Sequence, residues 1–438
     1  MQPSPVLWSL RILIVNRFLS HLVRRLIKTG DLTIKFADGS DLRLGDGTGE
    51  PVTLRFNSAR AERAVALDPN LKLGECYMDG EIDLPDGDIY RLLEILFKNI
   101  QLNSTAPTKW VKLIEQLRRI PAHLLEWNTL GRSRSNVKHH YDLSGELYDL
   151  FLDPDRQYSC AYFEDPSMDL EQAQMAKKRH IASKLIMDRE GLKVLDIGSG
   201  WGGMGLHLAR QFNARVTGVT LSDEQHAVSK QRAREDGFAG QVEFKLLDYR
   251  KLDQTFNRIV SVGMFEHVGR RHFGTYFDKC AEMLADDGVM LLHTIGQSEP
   301  PTPTNPFIKK HIFPGGYIPS LSEIVLAVER SGLVITDVEV LRLHYAETLK
   351  AWRARFLENW DKAAELYDER FCRMWDFYLA SCEAAFRWQD LVVFQLQLAH
   401  RPDAVPLTRD YIGRSDRAPH RVKKANESAR KKREAKAK

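Results

Sequence analysis

The sequence predicts an α/β protein: a seven-stranded, mostly parallel sheet with helices on both faces, preceded by a small N-terminal α+β domain. Three observations predict it. From Lys193 onward, apolar strand-like runs alternate with amphipathic stretches, the pattern of a parallel sheet covered on both sides. The run from Val194 to Gly203 (VLDIGSGWGG) reads as a buried strand that breaks at glycines and then opens a helix. Upstream, residues 31–60 alternate apolar and polar with Asp-Gly turns between the runs, as half-buried strands do.

Taken in order, residues 8–28 place Trp8, Leu10, Phe18 and Leu22 at helical spacing against Arg11, Arg17, Arg24 and Arg25. This helix reads equally as interfacial or as packed on its own domain, and its arginines argue against a membrane span. Strand-like runs at Leu32–Phe36 and Pro51–Phe56, the stretch Leu71–Gly80 and a helix near Ile89–Asn99 complete a domain over residues 1–125. In residues 126–400, strands are expected at 193–198, 215–221, 242–248, 256–263, 288–295, 333–342 and 391–399. Helices are expected at 201–211, 223–236, 272–285, 345–359 and 366–387. Residues 300–320, rich in proline, form a long insertion of the kind that often acts as a lid.

Composition is that of an ordinary globular protein of 438 residues with a net charge of +4. The charge is uneven: residues 401–438 hold thirteen Lys and Arg against five acids and have little to bury, so a basic, disordered or solvated tail is expected. Five scattered cysteines without CxxC spacing suit free thiols in a reducing compartment and give no metal site. No secretory signal is read. Cytoplasmic placement is expected.

Ligands of open α/β sheets bind beyond the carboxyl ends of the strands. Gly198, Gly200 and Gly202 let a ligand approach the first turn, and the helix behind them turns free N–H groups toward it. Two details favour S-adenosylmethionine over a dinucleotide: Asp196 is placed to accept from an ammonium, and the second strand ends in Thr220-Leu221-Ser222 rather than a ribose-binding acid. Gln225, one turn later, suits ribose hydroxyls, and Asp248-Tyr249 suits an adenine amino group and ring face. The fourth strand ends in Glu266-His267 and the fifth carries His293. Glu266 and His293 at neighbouring strand ends form an acid/base constellation, while His267 is left structural. Cys160 has no local activator and reads as a buried structural thiol. Tyr345 opens the helix after the sixth strand and is a weaker candidate.

Seven runs in order carry a family resemblance: 72–80 (KLGECYMDG), 140–143 (HYDL), 158–163 (YSCAYF), 196–203 (DIGSGWGG), 261–269 (SVGMFEHVG), 292–296 (LHTIG) and 345–352 (YAETLKAW). The chain resembles, over roughly residues 60 to 400, the cyclopropane-fatty-acid synthases, S-adenosylmethionine-dependent enzymes that add a methylene across a cis double bond of a phospholipid acyl chain. The resemblance implies a class I methyltransferase-like sheet. It implies that Glu266, His293 and Tyr345, with the backbones of Cys160 and Ile295, hold a bicarbonate that serves as base. It also implies cofactor contacts from Tyr158, Ser159, Gly198, Thr220, Gln225, Asp248 and Tyr249.

Such chemistry needs a dry chamber, because positive charge on the chain would be trapped by water. Aromatic faces steady that charge by about 0.5–2 kcal/mol each; Tyr158, Tyr162, Phe163 and Phe265 are the candidates. The expected partner is an unsaturated phospholipid at an anionic membrane surface, here the inner face, with Lys309 and Lys310 near the entrance. A homodimer is left open and nucleic acid is not expected. A relative that forms a methyl-branched or methylene product is the alternative within the class; a small-amine methyltransferase and a binding protein acting through the basic tail are the others.

Overall fold

The computed structural model describes residues 20–21, 23–103 and 144–412. Most of the expected helix at 8–28, the boundary at 125, the run 140–143 and the tail from 413 lie outside the described residues.

The N-terminal unit is built from β1 (Leu32–Lys35), β2 (Asp41–Leu44), β3 (Val52–Phe56), α1 (Ala59–Leu67), α2 (Pro69–Met78), β4 (Ile82–Asp86) and α3 (Ile89–Asn103). The four strands lie in the order β2-β1-β3-β4, with β1 parallel to β3 and both outer pairings antiparallel. Alternation sends Leu32, Ile34, Leu42, Leu44, Leu54 and Phe56 to one core. Ser58 caps α1 by accepting from the Ala61 N–H. Leu71–Gly80, left unassigned by the sequence, is mostly the helix α2.

The larger unit runs α4 (Gly145–Asp149), α5 (Leu170–Lys184), β5 (Lys193–Ile197), α6 (Gly203–Phe212), β6 (Arg215–Thr220), α7 (Asp223–Glu235), β7 (Val242–Leu246), β8 (Phe256–Val262), α8 (Phe273–Met283), β9 (Leu284–Gln297), α9 (Leu321–Ser331), β10 (Val334–Leu341), α10 (His344–Glu358), α11 (Trp360–Leu366), α12 (Glu369–Trp388) and β11 (Leu391–Ala399). Its sheet has the order β10-β11-β9-β8-β5-β6-β7, and only β11 runs antiparallel to its neighbours. The expected α/β class and seven strands are present, within a few residues of the expected limits. The order reverses between β5 and β8, so the carboxyl ends of those two strands diverge and leave a crevice.

Two parts differ from expectation. The insertion at 300–320 is packed down rather than raised as a lid: Phe307 is fully buried and Ile312 nearly so, around one π-helical turn at Ile308–Ile312. Its ends are tied in, with the Gln297 N–H donating to the Pro319 carbonyl (2.9 Å) and the Tyr317 N–H to the Glu266 carbonyl (2.9 Å). Residues 401–412, counted with the tail, also dock: Arg409 pairs with Asp337, and the Tyr411 hydroxyl donates to Gln397.

The two units share one core. Helix α12 places Trp375, Phe377 and Tyr378 against residues of α2, and its Asp376 accepts from the Tyr77 hydroxyl (3.0 Å) and from Arg353 (2.6 Å). Arg373 donates to the Tyr77 and Ile82 carbonyls, so the N-terminal sheet is fastened to α12 by its backbone. Among the described residues no helix is long and apolar enough to cross a membrane.

Candidate functional site

A cavity opens at the carboxyl ends of β5, β6, β7 and β8. Gly198 (φ +78°) and Gly202 (φ +87°) make its floor possible: a β-carbon on Gly198 would lie 2.7 Å from Met264 Cβ, and one on Gly202 would lie 2.6 Å from the Phe244 ring. Helix α6 begins at Gly203 with no side chain at its N-cap, and of its first-turn N–H groups that of Gly205 goes to Asp196. All nine residues expected to contact the cofactor line this cavity: Tyr158, Ser159, Asp196, Gly198, Gly200, Thr220, Gln225, Asp248 and Tyr249.

Their chemistry is specific. Asp196 is 2% exposed; burial pushes its carboxyl up to about 7, and Oδ2 has no partner among the described residues. An orphaned buried acceptor on a cavity wall is costly unless a ligand cation meets it. The Thr220 hydroxyl donates to Gln225 Oε1 (2.8 Å), leaving the Gln225 amide hydrogens to a ligand. Burial would raise Asp248, but Arg250, donating through Nε and Nη2, holds it below the usual carboxylate range. The Tyr249 ring stands edge-on to Tyr276, 5.5 Å between centroids.

None of the five residues expected to hold the base is among those lining this cavity. Glu266 is buried, its Oε1 accepts the Ile295 N–H at 2.6 Å, and Oε2 has no partner among the described residues. Burial raises this carboxyl to about 6, so it retains a proton easily. The Ile295 N–H is thereby spent on Glu266. His293, two residues earlier on the same face of β9, is fully enclosed and held well below its ordinary value by burial, hence neutral; Nδ1 lies 3.1 Å from Gln395 Nε2. Tyr345 is buried against Phe386 and Trp352. Cys160 shares its core cluster, and the adjacent Ala161 N–H donates to Thr348, one turn along α10. Burial raises the Cys160 thiol, which is therefore no nucleophile.

Of the four aromatic candidates only Tyr158 reaches the cavity, its hydroxyl 2.9 Å from that of Tyr378 and its ring stacked on Trp352. Tyr162 is sandwiched between His180 and His344, Phe163 lies beside His344, and Phe265 packs in a separate core with Phe273. Lys310, its side chain exposed, pairs with Glu75 on α2, which Lys72 and His311 also meet. His267, left structural by the sequence, lines the cavity and is held neutral by burial, its value near 4. Arg156, Gln157 and Arg250 also line it; a position at a strand end was the one available signal, and it marked His267 alone.

Residues 129–396, more than half of the chain, match the family model described as mycolic acid cyclopropane synthetase. The chain belongs to the mycolic acid cyclopropane synthetase family. Residues 18–106 match a second family, a domain of unknown function. The chain is 38% identical to the cyclopropane-fatty-acyl-phospholipid synthase of Escherichia coli, over 79% of this chain and 87% of that protein. It is 33% identical to the tuberculostearic acid methyltransferase of Mycobacterium tuberculosis, over 86% of this chain and 90% of that one. Among solved structures, a cyclopropane synthase from Mycobacterium tuberculosis superposes with a TM-score of 0.58 at 34% identity, covering 61% of this chain and 98% of that one. A mycolic acid cyclopropane synthase complexed with S-adenosylhomocysteine and CTAB gives the same score and identity, covering 60% and 97%. Coclaurine N-methyltransferase, at 21% identity and a TM-score of 0.61, shares the fold. As a member of the cyclopropane synthetase family, the protein is an S-adenosylmethionine-dependent methyltransferase.

Proposed function

We propose that this methyltransferase adds a methylene across the cis double bond of an unsaturated phospholipid acyl chain, with a bound bicarbonate as the base. The observation that carries the reading is the buried Glu266 carboxyl: one oxygen is fixed on the Ile295 N–H and the other has no partner among the described residues, while His293, two residues before Ile295 on β9, is neutral. S-adenosylmethionine supplies an electrophilic methyl group, and bicarbonate supplies a basic oxygen. The orphaned Asp196 oxygen, the Thr220–Gln225 pair and Asp248–Tyr249 fit the ammonium, ribose and adenine of the former.

In this reading Glu266 holds a proton on Oε2 and donates it to the anion, while Ile295 fixes the carboxyl's direction rather than touching the anion with its N–H. The Gln395 amide donates to His293 Nδ1, which leaves the hydrogen on Nε2 as a second donor. Tyr345 and the Cys160 backbone complete the set. Tyr158, stacked on Trp352, excludes water from the charge that develops on the chain. The N-terminal unit, over residues 1–125, receives the lipid at the inner, anionic face of a cytoplasmic membrane.

The relative named as a tuberculostearic acid methyltransferase favours a second product, a methyl-branched or methylene chain made without ring closure. Labelled S-adenosylmethionine with unsaturated phospholipid vesicles, followed by mass spectrometry before and after mild hydrogenation, separates them: a cyclopropane survives hydrogenation, a methylene product is saturated, and a methyl-branched product is heavier than either by two hydrogens from the start. No labelled lipid of any kind would refute the reading.

A further inference from the structure

Lys177 on α5 is fully buried, yet its ammonium donates to two neutral oxygens, Gln157 Oε1 (2.8 Å) and Ser159 Oγ (2.8 Å). Both of those residues line the cavity. Among the described residues the ammonium's hydrogen bonds go only to neutral oxygens, while its charge is met through space by Asp153, Asp155 and the cavity-lining Asp196. Since Ser159 Oγ accepts from Lys177, its own hydrogen is left to donate elsewhere, and Ser159 lines the cavity. The cavity is also lined by Asp196, whose carboxyl accepts from the Gly205 N–H while its Oδ2 has no partner among the described residues. The lining therefore offers a hydroxyl donor backed by a cation and a carboxylate oxygen left to accept: the complement of an α-amino-acid zwitterion.

We propose that Lys177 is a positioning residue that orients the Ser159 hydroxyl and supplies the charge matched to the carboxylate of the bound methyl donor. The proposal rests on the reading that this cavity holds S-adenosylmethionine. Charged groups facing Lys177 are Asp153, Asp155 and Cys160 on the preceding segment, Lys178 on its own helix, Asp196 on β5 and His293 on β9. Burial lowers Lys177 to about 8 and raises Asp196 to about 7. Affinity for the zwitterion therefore rises with pH as Asp196 ionises and falls as Lys177 loses its proton.

The test is calorimetric binding from pH 6 to 9 of S-adenosylhomocysteine and of 5′-methylthioadenosine, which has the same nucleoside thioether without the amino-acid head. Lys177→Met is expected to weaken S-adenosylhomocysteine by about tenfold or more, to leave methylthioadenosine within about twofold, and to abolish the alkaline fall near pH 8. The ligand's own ammonium titrates identically with every variant, so only the difference from the unaltered protein is read. Ser159→Ala, which keeps Lys177 in place, is expected to show the same selectivity for the zwitterion, and if Lys177→Met does not fold, Lys177→Gln is read in the same two assays by the same criteria. Equal weakening of both nucleosides, or an unchanged pH profile in Lys177→Met, overturns the role of Lys177. Failure of the unaltered protein to bind either nucleoside instead overturns the cofactor reading on which it rests.

Discussion

Gly74 and Phe307, more than two hundred residues apart, meet so closely that a β-carbon on Gly74 would lie 2.5 Å from the Phe307 ring and 2.7 Å from that of Phe377. Helix α2 of the N-terminal unit, the 300–320 insertion and α12 touch through this absent side chain. Gly74→Ala is therefore expected to destabilise the protein by about 1–3 kcal/mol, although alanine is the better helix former. Thermal or denaturant unfolding checks this; an unchanged midpoint would contradict the close approach.

Glu75, one residue on, is the electrostatic counterpart of that contact. Burial would raise its carboxyl, but Lys310, Lys72 and His311 bring it down to about 2. A carboxyl depressed in the folded state adds stability above its unfolded value, and that stability is lost as pH falls from about 4.5 toward 2. Glu75→Gln is expected to lower Tm by about 2–4 °C at neutral pH. The difference from the unaltered protein should shrink under acid, which pH-dependent melting curves would show.

At the inner site, Glu266→Ala and His293→Ala are expected to reduce ring formation by about a hundredfold or more while leaving S-adenosylhomocysteine affinity largely intact. Neither side chain lines the cavity. Labelled-product assays paired with calorimetry read the two effects separately. Loss of cofactor affinity in either variant would merge two sites that the geometry keeps apart.

Gly198→Ala tests the cavity floor. The substitution adds a β-carbon at a positive φ and presses it within 2.7 Å of Met264, so nucleoside binding is expected to fall by about tenfold or more. Equilibrium binding of S-adenosylhomocysteine measures it, with circular dichroism as the control for folding.

The large sheet was legible because parallel strands buried on both faces are written as apolar runs ended by Gly or Asp, as at Val194–Gly198 and Ile259–Gly263. Helix α2 was not, since Gly74, Glu75, Cys76, Tyr77 and Met78 are buried in succession and leave no single apolar stripe to read. The insertion's proline content announced irregular backbone correctly, but whether it stands open or lies flat depends on Gly74, far away in the chain. The cavity residues were legible from their positions at strand ends. Lys177 was not: a lysine on a helix ordinarily faces water, and only α5 packing over the sheet turns Lys177 and Lys184 inward.

The antiparallel β11 sits between β9 and β10 although it is the last strand made. During synthesis β10 leaves the ribosome with no neighbour to pair with, and β9 keeps one edge open until Leu391–Ala399 follows. Any nascent chain halted before that point carries two unprotected ribbons, so the sticky interval ends only when β11 has emerged.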